Sequence, residues 1–499
     1  MLDLHLTRGF TVGRVNETVQ TGETKESGSW RELLGRRYAA VSAVLAGGVL
    51  VEASNVYLTT SLLPTIVADI GGGEYYAWTM TSFLVASVIT AMLVSRLLRT
   101  RGAVTSYVLA FLVFAVGTVL CAVSPNMAVL LAGRAVQGLG GGLLAGLGYA
   151  LIQRALPERL WARGAALVSA MWGVGNILGP AVGGLFGQLG AWRLAFVVLA
   201  AIAVALVALA VRAIPRTETG PSATPVPFGS LVLLTFAVAA VSVASVVSGL
   251  ATVAAIVVGV VLVAWFVRHE RSARASVLPK VAFAPGSPLR WVYVTVVALA
   301  FGIGTEAFIP LFGQEIGALP PLAAGFLGAA LSLGWSVTQM VSANATAART
   351  VRALVIAGPA LLAAGLLGYG ALQHTAPAGV VVAAWFLVLF VAGSGIGVAF
   401  PHLTVAALGA TADEEESAKA AAGINTVLII ASAFSAAAAG VLVNLGAPDT
   451  VTSAHYLMSG FAVAIVLGVF PAAAAVRRSR RPAGTDTGGD GDPAEAALC

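Results

Sequence analysis

Charge is scarce in this sequence. Aspartate, glutamate, lysine and arginine make up 10% of its 499 residues, against about 25% in a soluble domain. A chain this long with so few charges cannot cover a water-facing surface, and its alternative solvent is lipid. Cysteine is scarcer still: Cys121 lies in an apolar run and Cys499 is the last residue. Two thiols so placed give no disulfide framework and no metal-ligand spacing. Histidine is confined to His5, His269, His374, His402 and His455. An integral-membrane transferase would gather His, Asp or Glu at one membrane face, and these positions are scattered. The nucleotide pattern GxxxxGK[ST] is missing as well. Neither an enzyme nor a bound cofactor is expected.

What the sequence has in plenty is apolar length. Hydrophobic residues make up 58% of it, in continuous runs that approach or exceed the roughly 20 residues that span a bilayer core. The runs predict helices over 38–66, 76–97, 103–123, 127–153, 162–188, 193–213, 228–247, 250–267, 290–313, 320–342, 351–372, 378–409, 417–444 and 454–476. Strands are excluded because the runs do not alternate. The formal charge of +6 does not point to nucleic acid, because the basic residues sit in short loops. They occupy every second loop: Arg36 and Arg37; Arg96, Arg99 and Arg101; Arg154, Arg159 and Arg163; Arg268, Arg271, Arg274 and Lys280; Arg349 and Arg352; Arg477, Arg478, Arg480 and Arg481. The other loops carry Asp69, Glu74, Glu315 and Asp449, with Arg193. Basic loops stay on the cytoplasmic side, so both termini are expected there, in a bacterial plasma membrane. The acidic run Asp413–Glu416 falls on that side too, but acids weigh little in the rule.

The chain repeats itself. Pro64…Asp69-Ile70-Gly71 closes the first span and Pro310…Glu315-Ile316-Gly317 closes the ninth, at equal spacing. The expected organisation is a tail (1–37), a six-helix half (38–213), a linker with two extra helices (214–289), a second six-helix half (290–476) and a tail (477–499).

Three local patterns carry chemistry. Arg134, Gln137 and Gly138 share one face of the fourth span, and an arginine at that depth needs a partner or a wet cavity. Gly175, Gly179 and Gly183, with Pro180 and Gly184, complete GxxxGPxxGG in the fifth span. Glycines four apart make a stripe on which another helix packs closely. The loop Ser95-Arg96-Leu-Leu-Arg99-Thr-Arg101-Gly102 is a degenerate third pattern.

These motifs, over about residues 38–476, resemble the major facilitator superfamily, in its fourteen-span drug:proton antiporter branch. The resemblance implies an all-helical integral membrane fold of two pseudo-symmetric six-helix halves plus two extra helices. It implies export of amphipathic small molecules in exchange for protons. Proton symport, or carriage of a lipid or metabolite by the same fold, remains an alternative. The departure at Arg99, where the family has an aspartate that latches the halves, puts the usual gate in question. The segment around Glu52, Asn55 and Tyr57 also resembles this branch, which commonly has an acid at the position of Asn55. Here the acid is Glu52, one turn earlier. Glu52 and Glu306 are the acids expected within spans, as proton carriers. His402, Asn176 and Asn425 are expected as packing or cavity groups, and Trp78, Trp172, Trp291, Trp335 and Trp385 mainly as interface anchors. The expected partners are an amphipathic solute, protons and lipid, with no nucleic acid, and the carrier is expected to act as a monomer.

Overall fold

In lipid a backbone must satisfy its own polar groups, which leaves an uninterrupted apolar run the helix. The computed structural model describes residues 29–216, 219–220, 225–410 and 414–478. Among these the regular elements are all helical, and 12 spans are long and apolar enough to cross a membrane. His5, Lys25, Asp413, Arg480, Arg481, Cys499 and most of both expected tails lie outside the described residues.

The first set of helices is α1 (Ala39–Ile70), α2 (Tyr76–Ala91), α3 (Val94–Ala122), α4 (Met127–Ala150), α5 (Trp161–Gln188) and α6 (Trp192–Ala213). Next come α7 (Phe228–Ala244) and α8 (Leu250–Ser272). The remainder is α9 (Leu289–Thr305), α10 (Ile309–Glu315), α11 (Pro321–Ser342), α12 (Ala348–Ala371), α13 (Gly379–Leu408), α14 (Glu414–Gly446), α15 (Thr450–Leu467) and α16 (Val469–Arg478). α10 (7 residues) and α16 (10 residues) continue α9 and α15 after a break; of the others α2, at 16 residues, and α7 and α9, at 17, are the shortest.

Packing repeats along the chain. In the first set α1 packs on α4, α5 and α6, α2 on α4, and α3 on α4 and α6. In the second, α9 packs on α13, α14 and α15, α11 on α13, and α12 on α13 and α15. The repeated sequence makes a repeated contact. Asp69, at the end of α1, accepts from Trp192 Nε1 at 3.1 Å and pairs with Arg193 at 2.6 Å, at the start of α6. Glu315, at the end of α10, accepts from Thr450 Oγ1 at 2.5 Å, at the start of α15.

The sets meet as α5 on α11 and α2 on α14. The meeting is tight at the Ile70 end of the bundle. A Cβ on Gly184 would lie 2.5 Å from Leu322 Cα, and one on Gly440 2.5 Å from Ala77 Cβ. Tyr76 stacks on Phe308 with ring centroids 4.9 Å apart. At the opposite, Ala39 end, the apolar core of the first set (Val41, Leu45, Tyr107, Leu147, Leu160) holds residues of that set and its flanks alone. α7 lies along the α2–α14 seam. Trp78 Nε1 donates to the Ser242 carbonyl at 3.0 Å, and Asn444 Nδ2 to the Ser245 carbonyl at 2.7 Å.

Several expected boundaries move. The run 76–97 is not one helix: it breaks at Met92–Leu93, resumes at Val94 and turns at Gly102, whose φ of 78° suits glycine. The run 290–313 breaks over 306–308, and 454–476 divides at Gly468. Glu414, Glu415 and Glu416 open α14 instead of lying in a loop. α8 continues past 267 to Ser272 and carries Glu270 with it.

Candidate functional site

Glu52 sits in the middle third of α1 and is buried. Gly141 of α4 leaves it room, since a Cβ there would lie 3.3 Å from Glu52 Cγ. Its Oε2 is enclosed without a hydrogen-bond partner. One turn on, Asn55 accepts from Arg134 Nη1 at 3.3 Å through Oδ1, and its Nδ2 is unpartnered.

Arg134 is fully buried, and the helices around it supply its partners. Nε donates to the Thr79 carbonyl of α2 at 3.1 Å, and Nη1 to Gln137 Oε1 at 2.5 Å. The guanidinium carbon stands 4.4 Å from the Phe83 ring centroid, a contact worth up to about 2 kcal/mol when desolvated. Gln137 in turn donates to Thr118 Oγ1 of α3 at 2.8 Å. Gly138 lets α4 touch α2, where a Cβ would lie 2.2 Å from the Phe83 carbonyl oxygen. Arg134 Nη2 has no partner, and Glu52 lies within its electrostatic reach without forming an ion pair. A buried cation is thus held by neutral acceptors, beside a carboxyl with one unpartnered oxygen.

Glu306 lies where α9 ends and α10 has not begun. Ser332 of α11 donates to its Oε1, and Tyr57 of α1 donates to Ser332 Oγ at 3.1 Å. The chain Tyr57–Ser332–Glu306 therefore crosses from one set of helices to the other.

The glycine stripe faces α1 at this level. A Cβ on Gly175 would be 2.6 Å from Ala53 Cβ, on Gly179 2.5 Å from Tyr57 Cβ, and on Gly183 2.7 Å from the Leu58 carbonyl oxygen. Pro180 lies within α5. Asn176 is buried beside the stripe with Oδ1 unpartnered.

The structure brings Glu52, Asn55, Arg134, Gln137 and Gly138 together, and Tyr57 with Glu306. It does not bring in His402 or Asn425. His402 Nε2 lies 3.0 Å from Ser342 Oγ, a bond between α13 and α11. Asn425 is exposed, against the expectation of a group held between helices. The buried positions of α14 recur at 424, 427, 428 and 431, and 425 falls off that face. Trp385 is no interface anchor: it is fully buried against Tyr369, with centroids 5.7 Å apart.

Sequence reasoning missed Thr79, Phe83, Thr118 and Ser332, because a backbone carbonyl or a lone hydroxyl has no motif. It also missed Glu270, a buried carboxylate that accepts from Ser230 and from the Leu278 amide at 2.7 Å, because α8 was expected to end before it. Three more residues of helix, most of a turn, would have reached it.

Two sets of membrane helices with the same internal packing, sealed together at one end and enclosing charged groups between their helices, define a membrane transporter. The chain belongs to the Major Facilitator Superfamily, whose model matches residues 45–407. A protein of Mycobacterium tuberculosis named as a probable multidrug-efflux transporter is 46% identical over 470 residues, 92% of this chain and 99% of that one. An uncharacterized transporter of the same organism is 28% identical over 415 residues, 81% of this chain and 59% of that one. Among solved structures, a D-xylose–proton symporter aligns with a TM-score of 0.61 at 15% identity, over 87% of this chain and 97% of that one. A bacterial homolog of the human lysosomal transporter Spinster gives 0.57 at 13%, over 89% and 96%. At such identities these two share the fold alone.

Proposed function

We propose that this chain is a proton-coupled exporter of amphipathic small molecules, acting as a monomer by alternating access between two six-helix halves. Export is supported by the 46% identity, along nearly the whole chain, to a probable multidrug-efflux transporter. Coupling rests on Glu52, a carboxyl near mid-bilayer with an unpartnered oxygen. A permanent charge there costs at least about 2.5 kcal/mol, a cost that protonation removes.

In this reading the sixteen helices make fourteen crossings, α9 with α10 and α15 with α16 each serving as one. The short α2 crosses by continuing through the break at Met92–Leu93, and α7 by bundling with α8. The halves are 38–213 and 290–476, and 214–289 holds the extra pair. The Ala39 end is cytoplasmic, with both termini and the arginine-rich loops, in a bacterial inner membrane. The seam closed at the Ile70 end then makes this the inward-facing arrangement. A proton entering down 100 mV supplies about 2.3 kcal/mol, enough for roughly a 50-fold gradient of a neutral solute exchanged one for one.

The test is a fluorescent amphipathic dye in proteoliposomes with an imposed pH gradient. The dye should move uphill, opposite to the protons. Movement with the protons would assign symport, and movement indifferent to the gradient would remove coupling altogether.

A further inference from the structure

We propose that Ser332 is a positioning residue that ties opening of the seam between the halves to the occupancy of Glu306. The proposal rests on the transport reading above and names a control on the same site.

A hydroxyl has one hydrogen and two lone pairs. Ser332 spends its hydrogen on Glu306 Oε1 and receives the Tyr57 phenol at 3.1 Å. When Glu306 is ionised, both O–H dipoles point toward the anion. Such charge-assisted bonds are roughly twice as strong as neutral ones, and members of a chain polarise one another. Proton uptake by Glu306, or a cationic solute seated on it, removes or neutralises that anion. Ser332 is then free to turn to its own helix, as Ser336 and Thr338 do one turn on, donating to the carbonyls of Ser332 and Gly334.

The position of the chain makes this matter to the seam. Tyr57 is seated on Gly179, on the stripe of α5 that reaches α11 at Gly184 and Leu322. Glu306 stands at a helix break, where residues 306–308 lack the regular ladder, and Gly328 of α11 lies under Pro310, which follows that break. Of the titratable groups on the elements packed around Glu306, Tyr57 of α1 joins it through Ser332, Glu52 lies on the same helix as Tyr57, and Tyr76 of α2 stacks on Phe308 at the break, with Arg134 of α4 beyond Glu52. The others are engaged elsewhere: Tyr293 of α9 with the Ala420 carbonyl, Glu315 of α10 with Thr450, Tyr369 of α12 with Trp385, His402 of α13 with Ser342 and His455 of α15 with the Gln373 carbonyl. α11 and α14 present the hydroxyls of Ser332 and Ser435.

The consequence is a lock on the empty carrier. With Glu306 ionised and vacant, the chain holds α1 to α11 and keeps the Ile70 end shut. A proton or a cationic solute releases it. A carrier so built does not reorient empty, which is the slippage that would dissipate the proton gradient.

The experiment uses the full chain in lipid nanodiscs, with Cys499→Ser and spin labels on cysteines placed at Leu189 and Pro320, exposed positions on either side of the seam. Distance distributions are recorded from pH 5 to pH 9. In the parent the open population should rise as the pH falls. Ser332→Ala and Tyr57→Phe should each raise the open-to-closed ratio at high pH about tenfold, the effect of losing one charge-assisted hydrogen bond. Each should also flatten the pH dependence, and the double variant should add little, since both cut one chain. Glu306→Gln should give one distribution at every pH. Parent-like pH dependence in Ser332→Ala and Tyr57→Phe would overturn the proposal, as would full additivity in the double variant. The labels read the seam without any solute, so a parent protein that fails to pump uphill would overturn the export reading and leave this result standing.

Discussion

The two sets of helices each place a carboxyl in the first segment and then treat it in opposite ways. Glu52 of α1 has an unpartnered oxygen near a buried arginine, and its helix runs on unbroken to Ile70. Glu306 is bonded by Ser332 and stands in the break between α9 and α10. The contact between first and fifth helix differs in the same way. In the first set the small residues are on the fifth helix, where Gly175, Gly179 and Gly183 receive α1. In the second the small residue is on the first helix, where a Cβ on Gly304 would lie 2.0 Å from Ser435 Oγ of α14. One packing plan thus carries two chemistries. A carboxyl with a free oxygen suits binding and release, and a carboxyl already bonded across the interface suits sensing.

The sharpest break in that comparison is steric. Gly179→Leu puts a branched side chain where even a Cβ meets Tyr57 at 2.5 Å. Overpacking a tight contact costs about 1–3 kcal/mol or more, and here the cost falls on a surface that must close. Transport, uphill and passive, should be abolished while the protein still inserts in the membrane. Dye flux in proteoliposomes with normal protein content measures it, and wild-type flux would show that the stripe is not a working contact.

Glu52→Gln comes next. It keeps shape and hydrogen bonding but fixes the neutral form, so accumulation of up to roughly 50-fold should fall to none while passive exchange continues. Glu52→Asp should retain part of the activity. Glu306→Gln should do less: uphill transport persists at reduced efficiency and preference among cationic solutes changes. Pumping that survives Glu52→Gln but not Glu306→Gln would exchange the two roles, and the same proteoliposome assay decides between them.

Much of this architecture is legible in the sequence because lipid allows so few solutions. Apolar length marks where helices run, arginine marks alternate loops, and Pro64…Asp69 with Pro310…Glu315 marks the repeat. Glycine spacing marks a close contact but not its partner: nothing in Gly179 names Tyr57. The breaks at Met92 and Glu306 are not marked by hydropathy, since apolar residues continue on both sides of each. The acceptors of Arg134 are a backbone carbonyl, an asparagine and a glutamine, of which only the glutamine lies in the arginine's own motif. Tertiary hydrogen bonds between single hydroxyls, such as Ser332 to Glu306, leave no periodic trace. Asn425 shows the converse, where a polar residue in an apolar run implied a partner but faced outward.

The smallest effect lies outside the membrane, where a carboxyl sits beside a fixed cation. Ser29 caps the short helix Trp30–Leu33, accepting from the Glu32 amide at 3.1 Å. Glu32 receives Arg159 Nε at 3.1 Å and Nη2 at 2.5 Å, which ties this helix to the turn before α5. The Arg159 hydrogen bond holds the Glu32 carboxyl below its ordinary value. A depressed carboxyl stabilises the folded form above its unfolded pKa, about 4.3, and that contribution is lost as pH falls through the lower folded value. Both partners are solvent-exposed in part, so the effect is small and screened by salt. Arg159→Ala should therefore leave uphill transport unchanged. Amide hydrogen exchange over residues 30–34 should be faster in Arg159→Ala than in wild type at pH 7, and the difference should vanish once the pH falls below the depressed Glu32 value. A difference that persisted in acid would mean that Arg159 holds the helix by packing and not by its charge.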